Sequence, residues 1–452
     1  MSPQTAHFAG SFFTDQPIPL NRQVRLLVQG GKIGAGVSDA RPSAIISPHA
    51  GYRFSGALAG QAFAAVQGHS YDRIVILSPS HRYAFDGLAM PSWNQMQVPN
   101  GRVNVDRLLR NDLLDRRLIR VEDAAHDNEH GIETQLPFIA RYHRDAKIVP
   151  IVVGRSSVAD VARVVDALAG DGTLFVISTD LSHFHTLEDA KKLDLATAKM
   201  IETAQIAKLN GTHACGWSPL TGFLASRTGS GLRSVRLGMG DSSPVTGDET
   251  RVVGYGAWAL YPTDADMFGQ SYRAEMLKIA RAATKSFLTK KRMPTINTDS
   301  FRPPLQSTMA SFVTWTHQGR LRGCIGSLSP HAPLIEDIVN NAIKAATKDP
   351  RFPALTDPKE LEALHCKIAI LTKPTPVSVT SRAMLEQILI PEQTGAIIED
   401  QGKRGTFLPM VWDSLKTPKD FADGLMRKAG LPTDHWSDTV RVWTYRAESF
   451  GE

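Results

Sequence analysis

The sequence is poor in cysteine, with three in 452 residues, at positions 215, 324 and 366. They form no CxxC pair and no disulfide framework, which excludes a disulfide-stapled secreted scaffold and favours the reducing cytoplasm. No long apolar run is present, so we expect neither a transmembrane helix nor a membrane partner. The N-terminal stretch has no basic segment followed by an apolar one, so we expect no secretion signal.

Strong charge of one sign is also missing. The net charge of +6 is spread along the chain, and the densest basic run, residues 285–292, carries no signature of a nucleic-acid-binding module. We interpret this run as solvated surface and expect no nucleic-acid partner. The hydrophobic content of 42% and the charged content of 21% are typical of a globular protein, and the length predicts two domains.

Histidine recurs just after three apolar runs that end in serine. The recurrence gives His49 after residues 44–46, His81 after residues 74–77, and Asp180 with His183 after residues 174–177. A single histidine of this kind is most often a loop residue bonded to a backbone carbonyl. Three repeats favour the crevice beyond the carboxyl ends of parallel strands, where these side chains would converge. Imidazole mixed with carboxylate is typical of a metal site.

A further group of polar residues opens a predicted helix at residues 126–138. His126, His130 and Glu133 are four and three residues apart, so in a helix they would share one face. This spacing suits metal ligands or substrate contacts, and we class His130 and Glu133 with the catalytic candidates. The alternative is a helix N-terminus with its usual acidic residue. Cys215 has no activating base beside it, and we interpret it as a packed residue.

The order of the predicted elements indicates an α/β first domain, residues 1–262, with a mostly parallel sheet flanked by helices. Residues 44–77 and 147–177 each read as a βαβ unit, and a strand at 252–260 closes the domain. The polar loop before that strand could add Asp241 to the crevice. A turn-prone segment at 262–270 predicts a linker, and interspersed hairpins and helices predict an α+β second domain, residues 272–452.

The sharpest local motif of the second domain is Arg322-Gly-Cys-Ile-Gly326. Glycine on both sides of Cys324 would let a ligand or a backbone approach the thiol closely. Arg322 could lower the pKa of that thiol, which would make it reactive. The alternative is a β-bulge in which the cysteine is simply buried, and no histidine or aspartate is evidently paired with it.

Both domains resemble known families. Residues 1–262 resemble the Memo family, protein B of the AmmeMemoRadiSam system, through Ala9-Gly-Ser-Phe-Phe13, Ser47-Pro-His-Ala-Gly-Tyr52, Ser78-Pro-Ser-His81, Glu129-His-Gly-Ile-Glu133, Ser178-Thr-Asp-Leu-Ser-His183 and Gly247-Asp248 ahead of Val252-Val-Gly-Tyr255. Residues 272–452 resemble the AMMECR family, protein A of that system, through Leu321-Arg-Gly-Cys-Ile-Gly326, Asp349-Pro-Arg-Phe-Pro353, Gly405-Thr-Phe-Leu-Pro409 and Lys428-Ala-Gly-Leu431.

The Memo family is similar in fold to class III extradiol dioxygenases, which hold Fe(II) with two histidines and a carboxylate. The resemblance implies that His49 and His81 bind a divalent metal, Fe(II) before copper, and that His183 transfers protons beside Asp180. Animal members add a cysteine ligand, which we place in the loop before the last strand. This sequence has Asp241 there, so we expect a carboxylate as third ligand, and the missing thiolate disfavours Cu(I).

The resemblance implies an oxidoreductase acting on a small molecule or a peptide. The alternative is a non-catalytic metal-binding or peptide-binding protein. Either could work with a radical SAM protein, as the name of the system records. The AMMECR resemblance implies a fold and a functional cleft around Arg322 and Cys324, without an activity.

Overall fold

The computed structural model describes residues 4–31, 40–263, 266–372 and 374–452. The chain divides into two compact units, Met1–Asp266 and Met267–Glu452. This division falls inside the predicted linker at 262–270, of which residues 264 and 265 lie outside the described residues. Among the described helices, none has the length and the apolar character needed to cross a membrane.

Unit 1 alternates strands and helices along the chain. Its strands are β1 (Gln4–Thr5), β2 (Ala44–Ser47), β3 (Arg73–Pro79), β4 (Leu88–Met90), β5 (Gln95–Val98), β6 (Gly101–Val105), β7 (Arg120–Val121), β8 (Lys147–Val153), β9 (Thr173–Ser178), β10 (His183–His185), β11 (Leu232–Asp241) and β12 (Val252–Pro262). Its helices are α1 (Pro17–Gly31), α2 (Tyr52–Val66), α3 (Arg107–Asp115), α4 (His130–Glu133), α5 (Leu136–Tyr142), α6 (Val158–Leu168), α7 (Leu187–Glu202), α8 (Trp217–Ala225), α9 (Arg227–Ser230) and α10 (Ser243–Thr246).

The strands of unit 1 form one sheet, in the order β1-β5-β6-β8-β3-β9-β2-β12-β10. The central strands β6, β8, β3, β9 and β2 run parallel, whereas β12 pairs antiparallel with β2. Strands buried on both faces need near-continuous apolar runs, and every residue of β2 and β9 is buried. The predicted α/β class with a mostly parallel, helix-flanked sheet is therefore confirmed.

The predicted helix at 126–138 is wrong, because the chain breaks it twice. Asn128 has a backbone φ of +57°, which a continuous α-helix does not allow. A second break separates α4 from α5, where Pro137 stands in the first turn of α5. His126 therefore follows a 3₁₀ turn, Asp123–Ala125, and does not share a helical face with His130.

Unit 2 mixes hairpins with helices. Its strands are β13 (Thr308–His317), β14 (Arg320–Gly326), β15 (Ala332–Pro333), β16 (His365–Leu371), β17 (Thr375–Val377), β18 (Gly395–Asp400), β19 (Lys403–Phe407), β20 (Arg441–Tyr445) and β21 (Ala447–Gly451). Its helices are α11 (Gln270–Lys290), α12 (Pro303–Gln306), α13 (Leu334–Thr347), α14 (Pro358–Glu362), α15 (Arg382–Ile388) and α16 (Pro418–Ala429).

Two antiparallel sheets organise unit 2. One has the order β14-β13-β16-β21, and the other has the order β17-β20-β18-β19. Helix α13 packs on β13 and β14, and it approaches so closely that a Cβ on Gly323 would lie 1.9 Å from the carbonyl oxygen of Ala345. The predicted α+β class of the second domain is confirmed.

Candidate metal centre

Three histidine side chains of unit 1 meet beyond the carboxyl edge of its sheet. His49, His81 and His130 each offer a ring nitrogen, and these three nitrogens lie within 4.8 Å of one another. We call these residues the imidazole cluster. The parallel register explains the meeting of the first two, because Ser47 pairs with Ser178 and Leu77 pairs with Ile177, so the strand ends are level.

His49 is held in the tautomer that a metal ligand needs. Its Nδ1 lies 2.9 Å from the Ser178 hydroxyl, and that hydroxyl already donates its proton to the carbonyl of Gly131 at 2.6 Å. The Ser178 oxygen must therefore accept from Nδ1–H, which leaves the lone pair on Nε2. Burial, followed by the neighbouring imidazoles of His81 and His130, holds the pKa of His49 well below its usual value.

His81 is fixed by a carboxylate. The Glu129 carboxylate accepts from the His81 backbone N–H and lies 2.8 Å from His81 Nδ1. Because an ionised carboxylate only accepts, Nδ1 carries the proton and Nε2 is free to bind a cation. A carboxylate behind a ligating imidazole fixes the ring and raises its basicity. Burial opposes charge on Glu129, but its hydrogen bonds with His81 prevail and lower its pKa.

His130 has a buried nitrogen without a partner. Among the described residues, Nδ1 has no hydrogen bond, and the nearest Glu129 oxygen is 3.8 Å away. The rings of Phe8 and Phe12 pack against the imidazole, at centroid distances of 5.6 and 4.9 Å. Burial, then the charge of His81, lowers the pKa of His130 to about 4. A neutral imidazole with an orphaned nitrogen indicates a missing ligand.

Cys215, which the sequence analysis interprets as a packed residue, is packed directly against this centre. Its Sγ lies 3.2 Å from His49 Nε2 and accepts from the backbone N–H of Asp180 at 3.3 Å. The next residue, Gly216, allows this approach, because a Cβ there would lie 2.6 Å from the Cβ of Thr179. Burial, then the Asp180 carboxylate, raises the pKa of the Cys215 thiol to about 12. Only the following glycine could have marked this cysteine in the sequence.

Asp180 and His183 line the same centre. Asp180 accepts from the backbone N–H of His49 at 2.8 Å, and burial raises its pKa to about 7. His183 places Nδ1 2.9 Å from the carbonyl of Leu181, so Nδ1 carries a proton and Nε2 is free. Burial lowers the pKa of His183, and the charge of His81 adds to that effect. Both residues therefore lie at the edge of the sheet that the sequence analysis predicts, and their catalytic roles stay predictions.

Three other candidates have different partners. The Glu133 carboxylate accepts from the backbone N–H groups of His7 and Phe8, so it anchors the N-terminal segment. Asp241 accepts from the backbone N–H of Ser243 and is outside the imidazole cluster. The expectation that Asp241 completes the ligand set is thus corrected, because His130 and Cys215 are the groups beside His49. His126 Nε2 bonds the carbonyl of Ala89.

In unit 2, Asp349 and Arg351 hold the backbone of Cys324, and we call these three residues the Cys324 clamp. The Cys324 backbone N–H donates to Asp349 at 2.8 Å, and its carbonyl accepts from Arg351 at 3.2 Å. Arg351 also pairs with Asp349 at 2.7 Å, and the Cys324 sulfur accepts from Thr314. This clamp explains why Asp349 and Arg351 accompany the glycine-flanked cysteine. No hydrogen bond joins Arg322 to Cys324 within the described part of unit 2.

The donor set of the imidazole cluster fits a divalent transition metal. Bonds of about 2.1 Å from metal to imidazole put two ligand nitrogens at most about 4.2 Å apart, so the cluster closes with shifts of about half an ångström. The neutral imidazoles of His49 and His130, the Nδ1–H groups of His49 and His81 that are held by acceptors, and the orphaned Nδ1 of His130 are features that such a metal requires. A cation would also favour the thiolate of Cys215.

Fold and site together define an α/β protein whose sheet carries a histidine-rich, metal-competent centre at its carboxyl edge. The family profile described as Memo-like protein matches residues 4–259, and that described as AMMECR1 matches residues 277–450. The chain therefore belongs to the Memo family and carries an AMMECR1 domain that follows its Memo domain in the sequence.

Two relatives in sequence support the assignment to the Memo family. A MEMO1 family protein of Aquifex aeolicus is 30% identical over 259 residues, which is 55% of this chain and 95% of that protein. A MEMO1 family protein of Methanococcoides burtonii is 32% identical over 266 residues, 55% of this chain and 96% of that protein. An uncharacterised protein of Pyrococcus horikoshii, of solved structure, is 30% identical with a TM-score of 0.35, covering 39% of this chain and 90% of its own.

Proposed function

We propose that unit 1 is a metal-dependent oxidoreductase of the cytoplasm, with non-haem Fe(II) as the first choice of metal and a dioxygenase-like reaction. The observation that carries the proposal is the approach of three imidazole nitrogens within 4.8 Å, two of them on rings whose Nδ1 is tied by Glu129 or Ser178. His49, His81 and His130 would hold the metal, with Cys215 beside His49. The substrate would be a small molecule or a peptide.

The residues around the cluster have separate tasks in this proposal. A bound metal would supply Lewis acidity and, as Fe(II), redox chemistry with O₂. His183 accepts a substrate proton on Nε2, because its Nδ1–H is committed to the carbonyl of Leu181. Asp180 holds the loop of His49 through a backbone hydrogen bond and, with a pKa near 7, can exchange a proton close to neutral pH. Phe8 and Phe12 pack against His130 and limit its contact with water.

Copper handling without catalysis is a second candidate, and Cys215 favours it. The sequence argument against Cu(I) was the lack of a thiol, and the Cys215 sulfur lies 3.2 Å from His49 Nε2. Soft thiolate ligands select Cu(I). In this candidate the chain binds metal and a partner, for which a radical SAM protein remains our proposal. The two candidates differ in the preferred metal and in oxygen uptake.

The test is elemental analysis of protein prepared without oxygen, followed by titration with Fe(II) and Cu(I). We expect about one Fe(II) per chain, loss of binding in His49→Ala, and affinity reduced about 10-fold to 100-fold in Glu129→Gln, as for other residues behind ligating histidines. His213→Ala is the control, because His213 bonds only Asn210 in the part of the chain described.

Oxygen uptake with a panel of catechols and enediols then separates the two candidates. Turnover that disappears in His183→Asn while the metal stays bound supports the oxidoreductase. Bound Cu(I) with no oxygen uptake supports the metal handler. Wild-type protein that takes up neither metal, or His49→Ala that binds metal as wild type does, would refute both.

A further inference from the structure

An exposed aromatic residue stands directly beside the centre. Phe184 lies between His183 and His185 in β10, and it is 61% exposed. Its backbone φ is +64°, which is an outlier for a bulky residue. The pairing of β10 with β12 is irregular between His183 and His185, so Phe184 occupies a β-bulge.

The bulge alone does not account for phenylalanine at this position. Glycine adopts positive φ without steric cost and is the usual residue at such a bulge. A bulge whose only task is to direct His183 would therefore be best served by glycine. The chain instead has a phenylalanine with a strained backbone here, and its exposed ring lies next to His183. Backbone strain of this kind is concentrated at functional sites. The strain at Phe184 therefore indicates a function for its aromatic ring.

The ring of Phe184 supports an arginine. The guanidinium of Arg251 lies over the ring at 4.4 Å from its centroid, a cation–π contact that orients the side chain. Arg251 is exposed, and within the described residues its side chain has no hydrogen bond or ion pair. Asp248 is close enough for its charge to act on Arg251, but its carboxylate accepts from the backbone N–H and the hydroxyl of Thr250. The N–H groups of Arg251 are therefore available to a ligand.

A second arginine, Arg82, directly follows His81 in the chain. Arg82 is exposed, and its charge acts on the imidazole of His130. Arg82 likewise has no acidic partner among the described residues. The two exposed guanidinium groups contribute positive potential on the solvent side of the centre, which attracts and orients anions.

We propose that the substrate of this centre carries an oxyanion, a carboxylate or a phosphate, which is bound by Arg251 on its Phe184 support and by Arg82. This rests on the proposed metal-dependent function, whose substrate it narrows to anionic molecules. Arginine suits the task, because its planar fork matches both oxygens of a carboxylate or phosphate. The strained backbone of Phe184 is retained because the ring fixes the guanidinium in place.

The experiment compares an acid with its neutral isostere. Binding of 3,4-dihydroxybenzoate and of 3,4-dihydroxybenzamide is measured by calorimetry, with metal-free and with Fe(II)-loaded protein under anaerobic conditions. We expect the acid to bind at least about tenfold more tightly at low salt, with the preference shrinking as salt is added. The preference should fall below about threefold in Arg251→Gln and in Phe184→Ala, and to an intermediate value in Arg82→Gln. Arg120→Gln, at an exposed arginine of β7, should keep it.

Two further readouts make the outcomes separable. Phe184→Gly should raise the melting temperature by about 2 °C, since glycine relieves the strain, while it loses the preference and keeps its metal content. Binding of 3,4-dihydroxyphenyl phosphate, which carries a phosphate in place of the carboxylate, shows which of the two anions the site prefers. Equal binding of acid and amide by wild type, or an undiminished preference in Arg251→Gln, overturns the inference. If wild-type protein prefers the acid over the amide but never takes up a metal, the proposed function is overturned and the anion site stands.

Discussion

Cys215 and Cys324 stand in similar local sequences and in different surroundings. Each is followed closely by glycine, yet the Cys215 sulfur lies 3.2 Å from His49 Nε2, while the Cys324 sulfur accepts a hydrogen bond from Thr314. The backbone of Cys324 is occupied on both sides by Asp349 and Arg351. The sequence motif made Cys324 the conspicuous residue, but residues brought together from separate strands decide which thiol can meet a metal.

The two units also differ in how they hold buried ionisable groups. In unit 1 burial lowers the pKa values of His126, His130 and His143 to about 4 each, so these imidazoles are kept neutral. In unit 2 the Thr439 and His435 hydrogen bonds lower the pKa of Asp400 to about 2, and Arg351 lowers that of Asp349. As the pH is lowered, unit 1 should therefore begin to lose stability at a higher pH than unit 2.

The largest effect is expected from Gly131→Ala. A Cβ at this position would lie 2.2 Å from Ser78 Oγ, 3.2 Å from Glu129 Oε1 and 3.3 Å from His49 Nδ1. The added methyl group displaces the residues that orient the imidazole cluster, so we expect loss of metal binding and about 3 kcal/mol of destabilisation. Gly170→Ala is the matched control, because nothing lies within 4 Å of its added Cβ. Wild-type metal content in Gly131→Ala would contradict the arrangement.

Acid should act next most strongly, through His126. Its Nδ1 is buried without a partner, and its folded-state pKa is about 4 against an ordinary value of 6.5. Between these values the unfolded chain binds the proton and the folded chain does not, so the unfolding free energy falls as the pH is lowered. The fall from neutral pH to pH 4 amounts to about 3 kcal/mol for this group.

Urea unfolding of metal-free protein at several pH values measures this term. His126→Gln should unfold with a shallower pH dependence than wild type between pH 6.5 and pH 4. His213→Gln should keep the wild-type slope. Equal slopes in all three proteins would mean that burial does not suppress protonation of His126.

Much of unit 1 could be predicted from the sequence because its signals are local. An apolar run followed by serine marks β2, β3 and β9, and parallel strands bring the residues that follow them to one edge, which places His49, His81, Asp180 and His183 correctly. His130 was found by its spacing from Glu133, although that helix is broken at Asn128. Cys215 and the partners of Glu133 depend on loops from distant parts of the chain, which no local pattern encodes.

A smaller effect is expected when the Cys324 clamp is removed. Asp349→Ala deletes the acceptor of the Cys324 backbone N–H and the partner of Arg351. Hydrogen bonds to charged groups contribute about 1.5–3 kcal/mol, so we expect about 2 kcal/mol of destabilisation confined to unit 2. Metal binding by unit 1 should not change. Asp438→Ala, at an exposed aspartate of the same unit, is the control, and equal stability of the two variants would show that the clamp is unimportant.

The smallest effect is expected at Cys324 itself, and it sharpens the comparison of the two thiols. Cys324→Ser keeps an acceptor for Thr314 and leaves the backbone clamp intact, so the unfolding free energy should change by less than about 1 kcal/mol.

Cys215→Ser replaces a soft sulfur beside His49 by a harder oxygen, which should weaken metal binding about tenfold and Cu(I) binding most. Metal titration and denaturant unfolding of both variants give the answer. If Cys215→Ser binds metal as wild type does, that thiol is a packed residue, as its local sequence indicates.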